Sequence, residues 1–475
     1  MLSCPADFSV DLFETATSQL IHHPEYNSTL ILRSETFADF DAPEDLRQLN
    51  IPRIEGYSAS RNICRHLLPR RPGRDEGLDQ HCTLYVPTDT LIGAVHPALL
   101  ILTPIMPSHG KLPYYHPTVS HLAFRYLLSE ARLRIEVIPL PGTPLGLGSR
   151  LYRTCLALLE TLHRYGWGAR THYRKRVLHD RLIAREEYQD LYLVMRERYK
   201  YLIGQWNEVT DPLKHVFEDI GIATFLMLLW KHSDDATSIV PNDSGIVSED
   251  EPWKCWRRPA GGFIDLGCGN GLLTHILTSE GYAGHGIDLR GRTSWKHYPA
   301  ATQSQLHVFA LDPTAPELDE RYFLHNGFLI GNHADELTPW IPILSSRTGA
   351  SGYLSLPCCA WSFDARFDRA RDKTYAVDMS NERFIASLNL GADGSTTSGF
   401  ASYRIWLATL SVHCGWEVEC ETLRIPSTRN WAIVGRNHTE VSGQDIKQRI
   451  ENILQLVRQR GVFKTRRPEG KAGDH

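Results

Sequence analysis

No stretch of this 475-residue chain is apolar for long enough to cross a membrane. The longest apolar run, residues 220–230, has about half the length that a bilayer requires, so we interpret it as a buried helix. The first residues, 1–8, show neither a basic start before an apolar core nor an Arg-rich amphipathic pattern. These absences predict a cytoplasmic protein that has no membrane partner.

Paired spacings of metal ligands are also absent. The ten cysteines are spread through a chain without a secretory leader, so we expect them to be reduced thiols. None of them forms a Cys-x-x-Cys pair or a paired Cys/His spacing. The sequence therefore predicts no metal site.

The sequence also lacks a large excess of positive or negative charge. The net charge of -4 argues against bulk attraction to nucleic acid, and we expect no DNA partner. The charge is nevertheless uneven, with six arginines and one acid between Arg53 and Arg74, and six basic residues and one acid between Arg458 and Lys471. Local basic patches of this kind predict docking to a phosphate backbone, although a solvated surface is an equal alternative.

Composition divides the chain into four parts. Residues 1–232 mix short apolar runs with many prolines and become helical in their second half, which predicts an α+β domain of unassigned strand order. Residues 233–254 contain six acids and few large apolar groups, as in an exposed linker. A catalytic domain is expected at 255–437, and a helix with a basic tail at 438–475.

The third part alternates short apolar strands with helical segments, which indicates a parallel sheet with right-handed crossovers. The first two strands flank a predicted helix at 272–279. The predicted strands are 262–266, 284–288, 306–310, 327–331, 352–356, 416–423 and 430–435. Seven strands of which the last two form a hairpin predict an α/β fold of the class I, Rossmann-like methyltransferase type.

The strongest signal is Phe263-Ile-Asp-Leu-Gly-Cys-Gly-Asn-Gly271, an apolar strand that runs into three alternating glycines. Gly267, Gly269 and Gly271 allow a sharp turn and leave no Cβ between the backbone and a ligand. Asp265, at the strand end, can accept a hydrogen bond from the ammonium of a methionyl group, which a pyrophosphate-binding loop does not need. This pattern favours S-adenosylmethionine over a dinucleotide.

Two further acids fit the same cofactor. The second strand ends at Asp288, where a carboxylate can bind both ribose hydroxyls. Leu272 stands where the dinucleotide fingerprint has its third glycine, which again disfavours a dinucleotide. Asp312 follows the third strand and is a candidate for the adenine amino group, with an Asp-Pro turn as the alternative.

Several blocks resemble one family closely, the eukaryotic tRNA (uracil-2'-O)-methyltransferases that act on uridine-44 of serine tRNA. The resemblance covers roughly residues 50–437. The blocks are residues 206–220, the glycine loop, residues 286–295, Gly331-Asn-His-Ala-Asp-Glu-Leu-Thr-Pro-Trp340 and Leu356-Pro-Cys-Cys359. This resemblance implies S-adenosylmethionine-dependent methylation of a uridine ribose in tRNA.

The residues after the fourth strand are the candidates for handling the methyl acceptor. A ribose hydroxyl is a weak acid, and a nearby base accelerates its attack by roughly 100- to 10,000-fold. His333 or Asp335 is the candidate base, with Asn332 beside them. The structural alternative is that Asn332 and Asp335 cap the next helix while His333 is a hydrogen-bonded polar residue.

Two other functions stay open at this point. Cys358 or Cys359 could attack C6 of a pyrimidine and activate its C5 for methylation, but the loop after the fourth strand lacks the Pro-Cys that cytosine-5 RNA methyltransferases carry. Alternatively, the chain is an RNA-binding or assembly factor without turnover. The intact glycine loop and Asp288 argue against that second alternative.

Overall fold

The computed structural model describes residues 1–88, 96–108, 110–173, 177–233, 238–239, 251–363, 365–391 and 398–460. The chain divides into two compact units, Met1–Arg174 and Lys175–His475. Within the described ranges, none of the helices combines the length and the apolar character that a membrane span requires.

The first unit contains one antiparallel sheet of seven strands, in the order β1-β7-β6-β5-β4-β3-β2. Its core lies between the sheet and helices α1 and α3, and includes Phe13, Phe124 and Leu159. Its elements are β1 (Leu2–Pro5), α1 (Phe13–His22), β2 (Ile31–Phe40), α2 (Pro43–Gln48), β3 (Tyr57–Pro69), β4 (Leu78–Pro87), β5 (Leu99–Pro104), β6 (Val119–Leu127), β7 (Arg132–Pro139) and α3 (Arg150–Arg170).

The prolines that obscured the strand order in the sequence stand at strand ends. Strands β3, β4, β5 and β7 finish at Pro69, Pro87, Pro104 and Pro139. Proline cannot donate to a strand ladder, so it is tolerated at the ends of strands and not in their centres. The prolines therefore mark the ends of strands. The sheet and its helices give this region the α+β character that the sequence predicts.

The second unit carries the remaining helices and strands. Its elements are α4 (Arg185–Tyr199), α5 (Pro212–Lys231), β8 (Ser238–Ile239), β9 (Arg258–Pro259), β10 (Phe263–Leu266), α6 (Leu272–Ser279), β11 (Gly284–Asp288), α7 (Ala300–Gln303), β12 (Leu306–Val308), β13 (Phe328–Asn332), α8 (Ile341–Thr348), β14 (Gly352–Leu356), α9 (Asn381–Ser387), α10 (Gly399–His413), β15 (Glu419–Thr422), β16 (Trp431–Gly435) and α11 (Gly443–Arg460).

Seven of these strands form a sheet in the order β12-β11-β10-β13-β14-β16-β15. The first five strands are parallel, and β16 is antiparallel to both β14 and β15. The predicted helix at 272–279 is confirmed, and each predicted strand corresponds to an observed one with shifts of a few residues at its ends. The chain order reverses between β10 and β13, and ligands of parallel sheets bind at such a point, beyond the carboxyl ends of the strands.

The division between the units differs from the predicted boundary at residue 233. Helices α4 and α5 belong to the second unit, because their apolar side chains pack with those of its sheet. Trp230, near the end of α5, lies 5.4 Å from Phe328 and 6.2 Å from Phe263 between ring centroids. The interpretation of residues 220–230 as a buried helix is confirmed, and that burial is what assigns α5 to this unit.

The predicted linker and tail are described only in part. Residues 234–237 and 240–250 of the acidic stretch lie outside the described residues, but Trp253 is buried and its indole donates to Glu280 over 2.7 Å. The predicted C-terminal helix is confirmed as α11, and its apolar stripe packs into the second unit with Ile450, Ile453 and Val457 buried. The basic tail beyond residue 460 lies outside the described residues.

Candidate active site

A cavity of about 1120 Å³ opens at the carboxyl ends of the parallel strands of the second unit. The loops after β10, β11, β12, β13 and β14 line it, together with the first turns of α5 and the turn between β15 and β16. The residues lining the cavity include all the predicted cofactor-binding and catalytic residues except Gly271 and Asp312, and of the two candidate cysteines they include Cys358 but not Cys359. One space therefore brings together the candidates for cofactor binding and for acceptor handling.

The glycine loop forms the floor of this cavity with a backbone that only glycine adopts readily. Gly267, Gly269 and Gly271 have φ angles of +75°, +53° and +77°. A Cβ on Gly269 would meet nothing within 4 Å, whereas a Cβ on Gly271 would lie 2.8 Å from Leu306. Gly269 therefore leaves open space in the cavity, while Gly271 permits close packing behind it.

Asp265 presents an unpaired carboxylate oxygen at the end of β10. The side chain is buried, its Oδ2 accepts a hydrogen bond from the Thr274 hydroxyl over 3.0 Å, and its Oδ1 has no partner among the residues that the structure describes. Burial raises the pKa of Asp265 to about 7; the Thr274 hydrogen bond opposes that shift and the Asp288 charge adds to it. A buried acceptor without a donor is costly, so this oxygen fits a cationic ligand such as an ammonium group.

The carboxylate of Asp288 closes the adjacent wall of the cavity. Its Oδ2 accepts from the backbone amide of Gly269 over 2.9 Å and its Oδ1 from that of Arg290 over 3.0 Å. Phe309 and Leu311 continue the wall, which ends before Asp312. The Asp312 carboxylate accepts from the amide and hydroxyl of Thr314, the geometry expected of a turn at an Asp-Pro pair.

Two acids that the sequence analysis did not single out hold the opposite side of the cavity. Glu218 and Asp219 stand on α5, and both are buried. Asn332 donates from Nδ2 to Asp219 over 3.1 Å, and His333 Nε2 lies 3.1 Å from Glu218. The pair of acids directly before the apolar run 220–230 was the available signal, since buried acids are rare unless they are paired.

His333 presents its second ring nitrogen without a partner. Its backbone has a φ angle of +53°, its amide donates to Leu356 over 3.2 Å, and its Nδ1 is buried and accepts no hydrogen bond from the described part of the chain. Burial opposes ionisation of Glu218, but the hydrogen bond and charge of His333, together with Ser427 and Lys214, outweigh it, and the pKa of Glu218 is lowered. A carboxylate on Nε2 fixes the imidazole orientation, which leaves Nδ1 as the acceptor.

The loop after β14 brings two thiols to the same end of the cavity. Cys358 Sγ donates to Asp335 over 3.3 Å, and the ligand atoms of Asp335, Cys358 and Cys359 all lie within 4.8 Å of one another. Burial and the neighbouring Asp335 carboxylate raise the pKa of the Cys358 thiol. A nucleophilic cysteine requires the opposite shift, so the environment of Cys358 does not favour attack on a pyrimidine.

The predicted arginine cluster of the first unit divides into two classes. Arg65 is buried and donates to Gln80 and to backbone carbonyls, and Arg61 forms a two-pronged ion pair with Asp39. The remaining four arginines of the cluster have exposed side chains: Arg53, Arg70, Arg71 and Arg74. Only this second class is available to a phosphate backbone. The alternative basic face, residues 174–176, lies outside the described residues.

Two family models match the chain. Residues 1–176 match a model described as the TRM44-like, N-terminal bet v1-like domain. Residues 182–246 and 253–313 match a model described as a predicted AdoMet-dependent methyltransferase. The boundary between the two matches agrees with the division of the structure into two units.

Curated proteins from several fungi are similar over nearly the whole chain. A tRNA (uracil-O(2)-)-methyltransferase of Schizosaccharomyces pombe is 34% identical, over 90% of this chain and 83% of its own length. The Neurospora crassa protein of the same name is 33% identical, over 92% and 86% respectively, and that of Saccharomyces cerevisiae 29%, over 90% and 84%. No solved structure matches the chain.

Proposed function

Since the chain belongs to the tRNA (uracil-O(2)-)-methyltransferase family, we propose that it transfers a methyl group from S-adenosylmethionine to the ribose 2'-hydroxyl of uridine-44 in serine tRNA. The observation that carries the proposal is the unpaired Oδ1 of Asp265 above the glycine loop. The strand order of the second unit also supports a class I, Rossmann-like arrangement, in which the cofactor lies across the carboxyl ends of the strands.

The cofactor end of the cavity has a group for each part of S-adenosylmethionine. Asp265 would accept from the ammonium, Asp288 would bind the ribose hydroxyls, and Phe309 and Leu311 would contact the adenine. Gly269 leaves open the space that the ligand would fill. When bound, the sulfonium supplies an electrophilic methyl group.

The acceptor end holds a candidate proton acceptor. In this proposal substrate binding exposes His333 Nδ1, which is buried in the free chain, and this nitrogen receives the hydrogen bond of the ribose hydroxyl and then its proton as the oxygen attacks the methyl carbon. Glu218 keeps the imidazole in place through Nε2, and Asp219 holds Asn332 next to it. This assignment prefers His333 to Asp335, because the Asp335 carboxylate is exposed and accepts from Cys358.

Other residues of the cavity wall suit a nucleotide substrate. Lys214, Arg290 and Arg429 line the cavity and can neutralise phosphates near the reacting ribose. The indole of Trp361 also lines it, with the Arg366 guanidinium 4.3 Å from its ring centroid. An indole in this position supports stacking of an unpaired uracil, which RNA-binding proteins commonly use.

Docking of the tRNA body is assigned in this proposal to the exposed arginines of the first unit. The triple variant Arg70→Ala, Arg71→Ala, Arg74→Ala should weaken tRNA binding and flatten its salt dependence, by a log-log slope of roughly 0.7 to 0.9 for each phosphate that is no longer neutralised. Arg61→Ala is the matched control, since Arg61 is already paired with Asp39. Equal effects of the two variants would argue against this docking surface.

Mapping ribose methylation in tRNA from cells with and without this protein tests the proposed substrate. The proposal predicts that 2'-O-methyluridine at position 44 of serine tRNA disappears without the protein and returns with the intact chain, but not with a Gly269→Val chain. Persistence of the modification, or loss of a base methylation in its place, would contradict the proposal. The proposal also includes a cytoplasmic location, which imaging of a tagged chain can check.

A further inference from the structure

Asp335, Cys358 and Cys359 form a cluster of ligands whose chemistry the proposed methyl transfer does not use. Their ligand atoms lie within 4.8 Å of one another, so all three lie within about 2.8 Å of a shared centre. Zinc–sulfur bonds of about 2.3 Å and zinc–carboxylate bonds of about 2.0–2.2 Å need only small side-chain movements from that geometry. We propose that these three residues bind one zinc-class divalent cation.

The fold brings the three ligands together from two neighbouring strands. Strand β13 pairs in parallel with β14, with Asn332 opposite Leu356, so the loops that follow them emerge side by side. The backbone amide of His333 donates to the Leu356 carbonyl and ties the two loops together. Cys358 Sγ already contacts Asp335 Oδ1 at 3.3 Å, which shows that the side chains converge.

Both ligand loops are held in defined conformations. Asp335 has a φ angle of +44°, a left-handed conformation that is uncommon for a residue other than glycine. On the other loop, the Trp361 amide donates to the Cys359 carbonyl over 3.1 Å. Strained backbone that directs a polar side chain toward two thiols is a feature of functional sites rather than of ordinary turns.

The ligand set selects the kind of metal. Two thiolates and one carboxylate suit a borderline-soft cation such as Zn²⁺, whereas Mg²⁺ and Ca²⁺ prefer oxygen ligands alone. On binding, each thiol would release its proton to solvent. Among the residues that the structure describes, no other group of three His, Cys, Asp or Glu side chains meets the same distance limit.

Three protein ligands leave the fourth position of a tetrahedral zinc ion open. Asp335 and Cys358 both line the cavity, so the open position borders the space assigned to the methyl acceptor. Open three-ligand sites are characteristic of catalytic zinc, whose fourth ligand is a water or a substrate oxygen. The inference therefore goes beyond the proposed function, since the cation would be bound whichever nucleotide is methylated.

Metal binding can be measured without RNA or S-adenosylmethionine, which separates this proposal from the proposed function. The full chain would be purified under reducing conditions, stripped with a chelator, and titrated with Zn²⁺ against a chromophoric competitor. Co²⁺ would be added in parallel to detect sulfur-to-cobalt charge-transfer absorption. The variants are Cys358→Ser, Cys359→Ser and Asp335→Asn, with Cys255→Ser as control because Cys255 is a partly exposed thiol outside the cluster.

We expect one Zn²⁺ per chain, with thiolate-cobalt absorption, in the unsubstituted chain and in Cys255→Ser. Each cluster cysteine variant should lose more than the ~10- to 100-fold in affinity that an outer-shell interaction is worth. Asp335→Asn should weaken binding while keeping part of the charge-transfer band, since both thiolates remain. Circular dichroism would show that each variant is folded. A folded, reduced chain that binds no zinc, or binding that survives in both cysteine variants, would overturn the proposal.

Discussion

The two ends of the cavity are built in different ways. At the cofactor end, residues 265–271 form one continuous turn whose function depends on backbone shape and on the absence of Cβ atoms. At the acceptor end, side chains from α5 and from the loops after β13 and β14 meet through hydrogen bonds of 3.1–3.3 Å. Local sequence therefore determines the cofactor end, whereas contacts between segments that are distant in the chain determine the acceptor end.

The largest effect is expected from a substitution at the cofactor end. Gly269→Val would place a side chain in the open space above the loop at a φ angle of +53°, so S-adenosylmethionine binding should be lost. Calorimetry would measure the affinity for S-adenosylmethionine. Gly142→Val is the matched control, because Gly142 also has a positive φ, at +80°, and open surroundings, but lies in the first unit. Binding in the Gly269 variant that equals the control would refute the cofactor assignment.

The next effect should appear only at the acceptor end. His333→Ala removes the proposed proton acceptor and should lower kcat by roughly 100- to 10,000-fold, while the Kd for S-adenosylmethionine stays the same. His297→Ala, at an exposed histidine outside the cavity lining, should leave kcat unchanged. Glu218→Gln should lower kcat less than His333→Ala does, because Glu218 acts through His333. If kcat is unaffected by His333→Ala, this division between the two ends is wrong.

Cofactor binding should also depend on pH through Asp265. Burial raises its pKa to about 7 in the absence of cofactor, with Thr274 opposing and Asp288 adding to the shift. Asp219 on α5 is close enough to Asp265 for the two carboxyl groups to interact. Burial, with the charges of Glu218 and Asp265, raises the pKa of Asp219 well above its usual value. Because an ammonium binds the carboxylate form, affinity should be greatest above pH 7, over the range in which Asp265 is ionised and the amino group of the cofactor is still protonated.

Below pH 7 the affinity should then fall, by about tenfold for each unit of pH. Calorimetry across this range measures the slope. Asp265→Asn should bind weakly at every pH and lose the slope, since it has no proton to exchange. A flat profile in the unsubstituted chain would show that Asp265 is not the group that binds the ammonium.

The smallest expected effect concerns Asp312. Its carboxylate already accepts two hydrogen bonds from Thr314, so Asp312→Ala should change the affinity for S-adenosylmethionine by less than about 0.5 kcal/mol. Asp288→Ala is the comparison and should cost roughly 1–3 kcal/mol. If the two variants weaken binding equally, Asp312 contacts the adenine after all, and the cofactor end extends further than the cavity wall indicates.

The sequence predicted the cofactor end because its determinants are contiguous. The apolar strand, Asp265 and the three glycines lie within nine residues, and Asp288 stands at the end of the next strand. The alternation of strands with helical segments also predicted α6, and an apolar stripe at helical spacing predicted α11. These are local patterns, and they need no knowledge of which distant segments meet.

The features that could not be predicted depend on segments far apart in the chain. Glu218 meets His333 across 115 residues, and Cys358 meets Asp335 across 23, so neither pairing leaves a spacing to recognise. In the first unit the N-terminal strand β1 forms one edge of the sheet by pairing with β7, with Leu2 opposite Ile135. The predicted boundary at residue 233 followed charge composition, whereas the two compact units divide at Arg174, with α5 packed in the second unit.

The most direct test of the central claim is methyl transfer to a synthetic serine tRNA in which uridine-44 carries either a ribose or a 2'-deoxyribose. Mass spectrometry of nuclease fragments would locate the methyl group after incubation with the purified chain and S-adenosylmethionine. The account predicts one methyl group on the ribose of uridine-44 and none on the 2'-deoxy substrate. Methylation of the 2'-deoxy tRNA at the same nucleotide would contradict it, because the acceptor would then be the base.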